Sequence, residues 1–223
     1  MKVSIITITR NDGELLNACL ASIYKQIGGD SQCEHIIVES NDVKDSLSEG
    51  NGNPLGINSE LREEIRKRGV KVIHAEPKGC YNAINIGLTA CSGDIIGLLN
   101  GTDYFANDHV LADVVETMTR ENADFLYADA YFVDKGKITR RYSSSGFESR
   151  MLMEGFAPPH PTLFITRKTL ERVGFYKEDY RIAADFDYFI RLFYNEFSLK
   201  ACRLPKEIVA LHAGGMSQSL RSR

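Results

Sequence analysis

The chain has no long apolar run. Crossing a bilayer takes roughly 20 consecutive apolar residues, and uninterrupted stretches such as Ile95 to Leu99 fall far short, so no transmembrane helix is expected. It has no excess of positive charge either: Lys plus Arg number 27 against 30 for Asp plus Glu, a net charge of −3. The basic face of a dedicated nucleic-acid binder is therefore not expected. Cysteine is sparse and scattered. Cys19, Cys33, Cys80, Cys91 and Cys202 are odd in number and never form a C-x-x-C pair, which argues against a disulfide framework and a zinc knuckle and for reduced, mostly buried thiols. Met1-Lys2-Val3 runs directly into an apolar segment, leaving no room for a signal peptide, so a cytoplasmic location is expected. What remains is an ordinary soluble composition of 223 residues, 43% hydrophobic and 26% charged, able to bury one good core.

The first 100 residues alternate short apolar runs with helix-period segments, the pattern of βαβ units and a mostly parallel sheet. Strands are expected at Val3 to Thr9, His35 to Glu39, Val70 to His74 and Ile95 to Leu99, the last apolar on both faces and hence central. Between them, Leu15 to Ile27 reads as a helix capped by Asp12 and stopped by Gly28-Gly29. Leu61 to Arg68 and Tyr81 to Ala90 read as two more helices, and Ser40 to Ser59 as a loop. After Asp103 the texture is more mixed, with a helix near Asp108 to Thr119 and strands at Phe125 to Val133 and Leu163 to Thr166. A helix from Asp185 to Asn195 presents Phe186, Phe189, Ile190 and Phe193 as a core stripe, whereas Thr139 to Pro161 shows little regular pattern, as expected of a mobile segment beside a site. No repeat or linker interrupts the chain, so one domain is expected, with residues 1–103 and 104–223 as abutting halves.

Ligands of open α/β sheets bind beyond the carboxyl ends of the strands. Those ends are polar here: Thr9-Arg10-Asn11-Asp12, Glu39-Ser40-Asn41-Asp42, Glu76-Pro77-Lys78-Gly79 and Asn100-Gly101-Thr102-Asp103. Each has a plain structural alternative as a cap, a turn or a solvated charge, but together they could line one site. Neither the G-x-G-x-x-G of dinucleotide folds nor the G-x-x-x-x-G-K of ATPases is present, nor the glycine-rich turn of sugar nucleotidyltransferases. A bound diphosphate would then need another neutraliser, most simply a divalent cation on Asp103.

The strings SIITITRND, KGCYNAINIGLTACSGDIIGLLNGTD, AADFDYFIRL and HAGGMS stand in this order. Together they resemble the inverting family 2 glycosyltransferases of the GT-A fold, in particular their bacterial polysaccharide-synthesis branch. The resemblance implies that Thr9, Arg10 and Asn11 line a nucleotide pocket and that Glu39 contacts its base or ribose. Lys78, Tyr81, Asn82 and Asn85 would approach the nucleotide and donor sugar, with Asn82 standing where relatives often carry Asp. Asn100, Gly101 and Thr102 would also contact the donor nucleotide sugar; Asp103 matches the last carboxylate of the D-x-D-like metal motif, whose preceding carboxylate positions are Gly101 and Thr102 here, and His212 matches a further metal ligand in some relatives. The cation would be Mn²⁺ or Mg²⁺. For the base that deprotonates the acceptor hydroxyl, Asp185 and Asp187 are the candidates. Asp187 precedes Arg191 by four residues and can pair with it, while Asp185 lacks such a partner and matches the second member of the relatives' Glu-Asp pair, whose Glu is Ala184 here.

The implied function is transfer of a sugar, with inversion, from a nucleotide-diphosphate sugar to a hydroxyl of a saccharide or lipid-linked saccharide, in cell-surface polysaccharide synthesis. The rivals are a non-catalytic carbohydrate-binding subunit of the same fold and a sugar nucleotidyltransferase. A homodimer and peripheral association with the inner face of the membrane both fit this reading.

Overall fold

The computed structural model describes residues 1–10, 12–26, 33–40 and 57–212. Strand β1 (Val3–Thr9) carries β-branched residues at six of its seven positions, all but Ser4, a composition suited to a pleated strand covered on both faces. It pairs in parallel with β2 (Cys33–Glu39) on one side and β4 (Ile95–Leu98) on the other, and β2 pairs with β3 (Lys71–His74). The register aligns Thr9, Glu39 and His74 across three strands, so these ends form one rim.

Beyond β4 the sheet becomes mixed. Strand β8 (Phe164–Thr166) runs antiparallel to both β4 and β6 (Phe125–Asp134), and β6 runs parallel to β9 (Ala201–His212). The short β5 (Tyr104–Phe105) pairs with β9, and β7 (Lys137–Tyr142) forms a hairpin with β6. The order β3-β2-β1-β4-β8-β6-β9-β5 carries one sheet through both halves of the chain, with β4 interior as expected.

Period-2 alternation divides the core between the two faces. Ile5 packs in one cluster with Leu16 and Leu20 of α1 (Leu15–Tyr24), Leu61 of α2 (Ser59–Lys67) and Val110, Val114 and Met118 of α4 (Val110–Glu121). Ile6 packs in the other with Ile84 and Leu88 of α3 (Cys80–Ala90) and Tyr188, Phe189 and Leu192 of α6 (Ala184–Phe193). Each fully buried aliphatic side chain contributes roughly 1.5–3 kcal/mol. Helix α3 lies close on the sheet: a Cβ on Gly87 would fall 2.3 Å from Cγ2 of Ile6.

Several expectations need correction. Asp12 does not cap α1; the N-cap is Glu14, without a side-chain bond, and the Asp12 carboxylate turns back to the Arg10 backbone N–H at 3.3 Å. The helix ends at Tyr24; the expected stop at Gly28-Gly29 lies outside the described residues, as does most of the expected Ser40 to Ser59 loop. Asn58 caps α2 by accepting from the Leu61 N–H, so that helix starts at Ser59 instead of Leu61. The stretch from Thr139 to Pro161 is more ordered than its pattern suggested: it contains most of β7 and two 3₁₀ turns, 149–154 and 160–162. Strand β7 shows no alternation because its residues are almost all exposed. Strand β9 has no regular sequence pattern because Pro205 and Lys206 are the extra residues at the register shift between Ala128 and Asp129. Strand β5 and α5 (Arg167–Val173) were too short to read from pattern. In α6 the buried face is Ala184, Tyr188, Phe189 and Leu192, while Phe186, Ile190 and Phe193 are only half-buried.

Candidate functional site

A cavity of about 870 Å³ opens over the carboxyl ends of β1 and β4 and reaches the final residues of β9 and the first turn of α6. Thr9, Arg10, Tyr81, Asn100, Gly101, Thr102, Asp103, Asp185 and His212 all line it. These residues span most of the chain, and the sheet order is what joins them.

Asp103 is 5% exposed. Its Oδ2 accepts from Asn100 Nδ2 at 2.9 Å and its Oδ1 from the backbone N–H of His212 at 3.1 Å. Pairing of Tyr104 with Ala210 in the β5–β9 ladder is what brings His212 there. Burial pushes the Asp103 carboxyl up to about 6, against the lowering effect of the Asn100 and His212 bonds, and the nearby Asp12 carboxylate pushes it further up. Asp12, which also lines the cavity, is itself raised by burial. The turn between them requires glycine for space: a Cβ on Gly101 would stand 2.4 Å from Asp12 Oδ2 and 3.1 Å from the Thr9 side chain. The Gly101 N–H donates to Ile8 O at 2.9 Å, holding that turn against β1.

On the opposite wall, α6 begins after Ala183, whose φ of +73° lies in the left-handed region. Asp185 accepts from the Tyr81 hydroxyl at 3.3 Å and from the Phe186 N–H at 2.9 Å. Asp187 is engaged elsewhere, accepting from Lys177 Nζ and Arg191 Nε at 2.7 Å each. Burial pushes its carboxyl up, but these two cations outweigh that effect and hold it below the ordinary carboxylate range. The i,i+4 pair with Arg191 expected from spacing is thus present, and of the two aspartates only Asp185 lines the cavity.

Four of the expected donor-site residues lie off the cavity surface. Glu39 is fully buried under the rim, 3.7 Å from His74 Nδ1, and Ser40 lines the cavity in its stead. Lys78 is exposed and pairs with Glu76 at 2.9 Å. Asn82 donates to Glu178 at 2.9 Å, while Asn85 donates to Glu178 and to the Tyr176 carbonyl at 2.8 Å each and accepts from the Tyr176 N–H at 2.9 Å. These two asparagines therefore fasten the segment before α6 onto α3. Asn11 lies outside the described residues.

Sequence reasoning missed His160 and the β6–β7 hairpin residues Phe132, Arg140 and Tyr142, all of which line the cavity. His160 is half-buried, desolvation lowers its pKa against the raising effect of the Asp185 carboxylate, and its Nε2 stands 2.8 Å from the Tyr176 hydroxyl. The polar, irregular stretch from Thr139 to Pro161, with its Pro158-Pro159-His160-Pro161 string, was the available signal for His160, Arg140 and Tyr142; nothing singled out Phe132 on its alternating strand.

Comparison with known proteins identifies the family and the fold. The profile of the family described as "Glycosyl transferase family 2" matches residues 4–182. A "PGL/p-HBAD biosynthesis glycosyltransferase" of Mycobacterium tuberculosis is 27% identical over 194 residues, covering 86% of this chain and 70% of that protein. The O-antigen biosynthesis protein RfbC of Myxococcus xanthus is 27% identical over 195 residues, covering 85% of this chain and 14% of its own length. Among solved structures, S. aureus TarS superposes with a TM-score of 0.72 at 18% identity, covering 95% of this chain and 37% of TarS. The mannosyltransferase PcManGT of Pyrobaculum calidifontis, in complex with GDP-Man and Mn²⁺, gives 0.60 at 16% identity over 93% of this chain and 56% of that one. The fold is the GT-A fold.

Proposed function

This chain belongs to glycosyl transferase family 2, and we propose that it transfers a sugar from a nucleotide-diphosphate donor to a hydroxyl of a saccharide or lipid-linked saccharide, with inversion, in cell-surface polysaccharide or glycolipid synthesis. The observation that carries this reading is one cavity with a buried carboxylate, Asp103, on the sheet side and a second, Asp185, on the α6 side. The uridine diphosphate nucleotides are the first donors to test, since a TarS structure with UDP-GlcNAc superposes at a TM-score of 0.71.

The donor set suits a hard divalent cation whose shell is completed by substrate. Among the described residues no three His, Cys, Asp or Glu side chains cluster as a metal site. Asp103 nonetheless keeps lone pairs beyond its two hydrogen bonds, and its neighbour Asp12 adds negative charge that a cation would relieve. Asp103 would hold Mn²⁺ or Mg²⁺, with His212 beside it and phosphate oxygens and water filling the remaining positions. When bound, such an ion neutralises charge on the departing diphosphate.

The chain's own residues supply the rest. Thr9, Arg10 and Ser40 border the β1 end where the nucleoside would lie. The carboxylate of Asp185 takes the proton from the acceptor hydroxyl as that oxygen attacks the anomeric carbon opposite the diphosphate. The Tyr81 hydroxyl and the Phe186 N–H hold that carboxylate toward the cavity. Asp187 cannot serve without breaking two ion pairs.

Titration calorimetry of UDP with and without Mn²⁺ tests the reading. Wild type is expected to bind UDP more tightly with Mn²⁺, and Asp103→Asn is expected to abolish that gain while melting cooperatively. Unchanged Mn²⁺-dependent affinity in the variant would refute the metal assignment, and absence of nucleotide binding by wild type would refute the donor class.

A further inference from the structure

Arginine 140 lies on the β6–β7 hairpin, and its guanidinium sits over two rings, 5.1 Å from the centroid of Phe132 and 5.3 Å from that of Tyr142. All three side chains line the cavity. The neighbouring arginine gives the contrast: Arg141 alternates to the other face of β7 and pairs with Glu207. Among the described residues no carboxylate pairs with Arg140, although the protein carries 30 acidic residues. A guanidinium braced by aromatic faces loses little further freedom on binding, and its N–H edge stays open to accept a carboxylate or phosphate in bidentate fashion.

We propose that Arg140 is the anion-reading residue of the acceptor subsite, and that the acceptor saccharide carries a carboxylate or phosphate group that docks there. This rests on the glycosyltransferase reading above. Position favours the acceptor over the donor diphosphate. Register puts Leu211, Phe132 and Arg140 in one transverse row on adjacent strands β9, β6 and β7. Arg140 is thus two strands from β9, whose end meets Asp103, a separation of roughly 10 Å at ~4.8 Å per strand. The surrounding wall, Tyr142, Ala157 to His160 and Phe186, leads to Asp185, where the acceptor hydroxyl must stand. Tyr142 is anchored to that wall by its hydroxyl, which donates to Ala157 O at 2.7 Å.

The test uses the full chain saturated with UDP and Mn²⁺, and reads binding of three probes by ligand-observed NMR titration: methyl glucoside, methyl glucuronide and glucose 6-phosphate. Wild type is expected to bind one or both anionic probes about fivefold or more tightly than the neutral one. Arg140→Gln is expected to erase the preference, and Arg140→Lys, which keeps the charge but not the fork, to retain part of it. UDP affinity is expected to change by less than about twofold in either variant. Equal binding of neutral and anionic probes by wild type would overturn the inference, as would a preference that survives in Arg140→Gln. A fall in UDP affinity of about tenfold or more in that variant would instead assign Arg140 to the donor diphosphate. If Arg140 only braces the hairpin, the variants would lower the melting temperature and leave the probe preference intact, which also overturns it. Failure of wild type to bind UDP at all would refute the donor assignment, separately from this one.

Discussion

His35 offers a quantitative check on how the β1–β2–α1 layer is held. It is 5% exposed, its Nε2 lies 2.9 Å from the Thr7 hydroxyl and its Nδ1 lies 3.1 Å from the Tyr24 hydroxyl. Burial lowers its pKa from 6.5 to about 3. The unfolded chain therefore takes up a proton as pH falls through 6.5, while the folded chain does not until about pH 3, so stability drops across that window and levels off below it. At pH 4.5, two units below the ordinary value, the loss is roughly 3 kcal/mol, a sizeable part of a domain's total stability. Carboxylates titrate in the same range, so the measurement is a difference: urea unfolding of wild type and His35→Gln at pH 7.5 and pH 4.5. Wild type is expected to lose roughly 3 kcal/mol more than the variant between the two pH values, whatever the variant's stability at pH 7.5. Parallel losses in the two proteins would refute the claim that His35 is buried in its neutral form.

Asp185→Asn is expected to keep UDP affinity and lower transfer about a hundredfold or more, because an amide cannot take the acceptor's proton; Asp187→Asn is expected to transfer normally and to lose about 1 kcal/mol in urea melts. A dead but folded Asp187 variant alongside an active Asp185 variant would reverse the assignment. Gly97→Ala is expected to destabilise by roughly 1–3 kcal/mol, since its Cβ would stand 2.3 Å from Cε1 of the buried Phe164; a double-mutant cycle with Phe164→Leu should recover much of the loss, and strict additivity would show that the clash is relieved elsewhere. Asp129 accepts from the Ser144 N–H and hydroxyl at 2.7 Å each and from Arg203 Nη2 at 2.8 Å, tying the segment after β7 to the sheet. Asp129→Ala is expected to cost about 2 kcal/mol and to make the 143–161 segment the first site of limited proteolysis; an unaltered digestion pattern would count against that tie.

The parallel half of the fold is legible in sequence because each of its signals is local. Strand β1 alternates Ile5 and Ile6 between two cores, α3 follows a glycine, and the polar run Asn100 to Asp103 ends an apolar strand, all within a window that periodicity can read. The separation of Asp185 from Asp187 was legible for the same reason, since an i,i+4 partner is a property of one helix. What only the tertiary structure decided depends on strands that meet across the sheet. Whether Glu39 or Ser40 faces the cavity turns on the side of β2 at its last pleat, and the contact of His212 with Asp103 exists only because β5 pairs with β9. Arg140 enters the cavity through a hairpin whose exposed strand left no pattern to follow, braced by rings eight residues back and two ahead. Local periodicity reports which face of an element is buried; it carries no information about which distant element covers that face, because non-local pairing is set by the packing of the whole sheet.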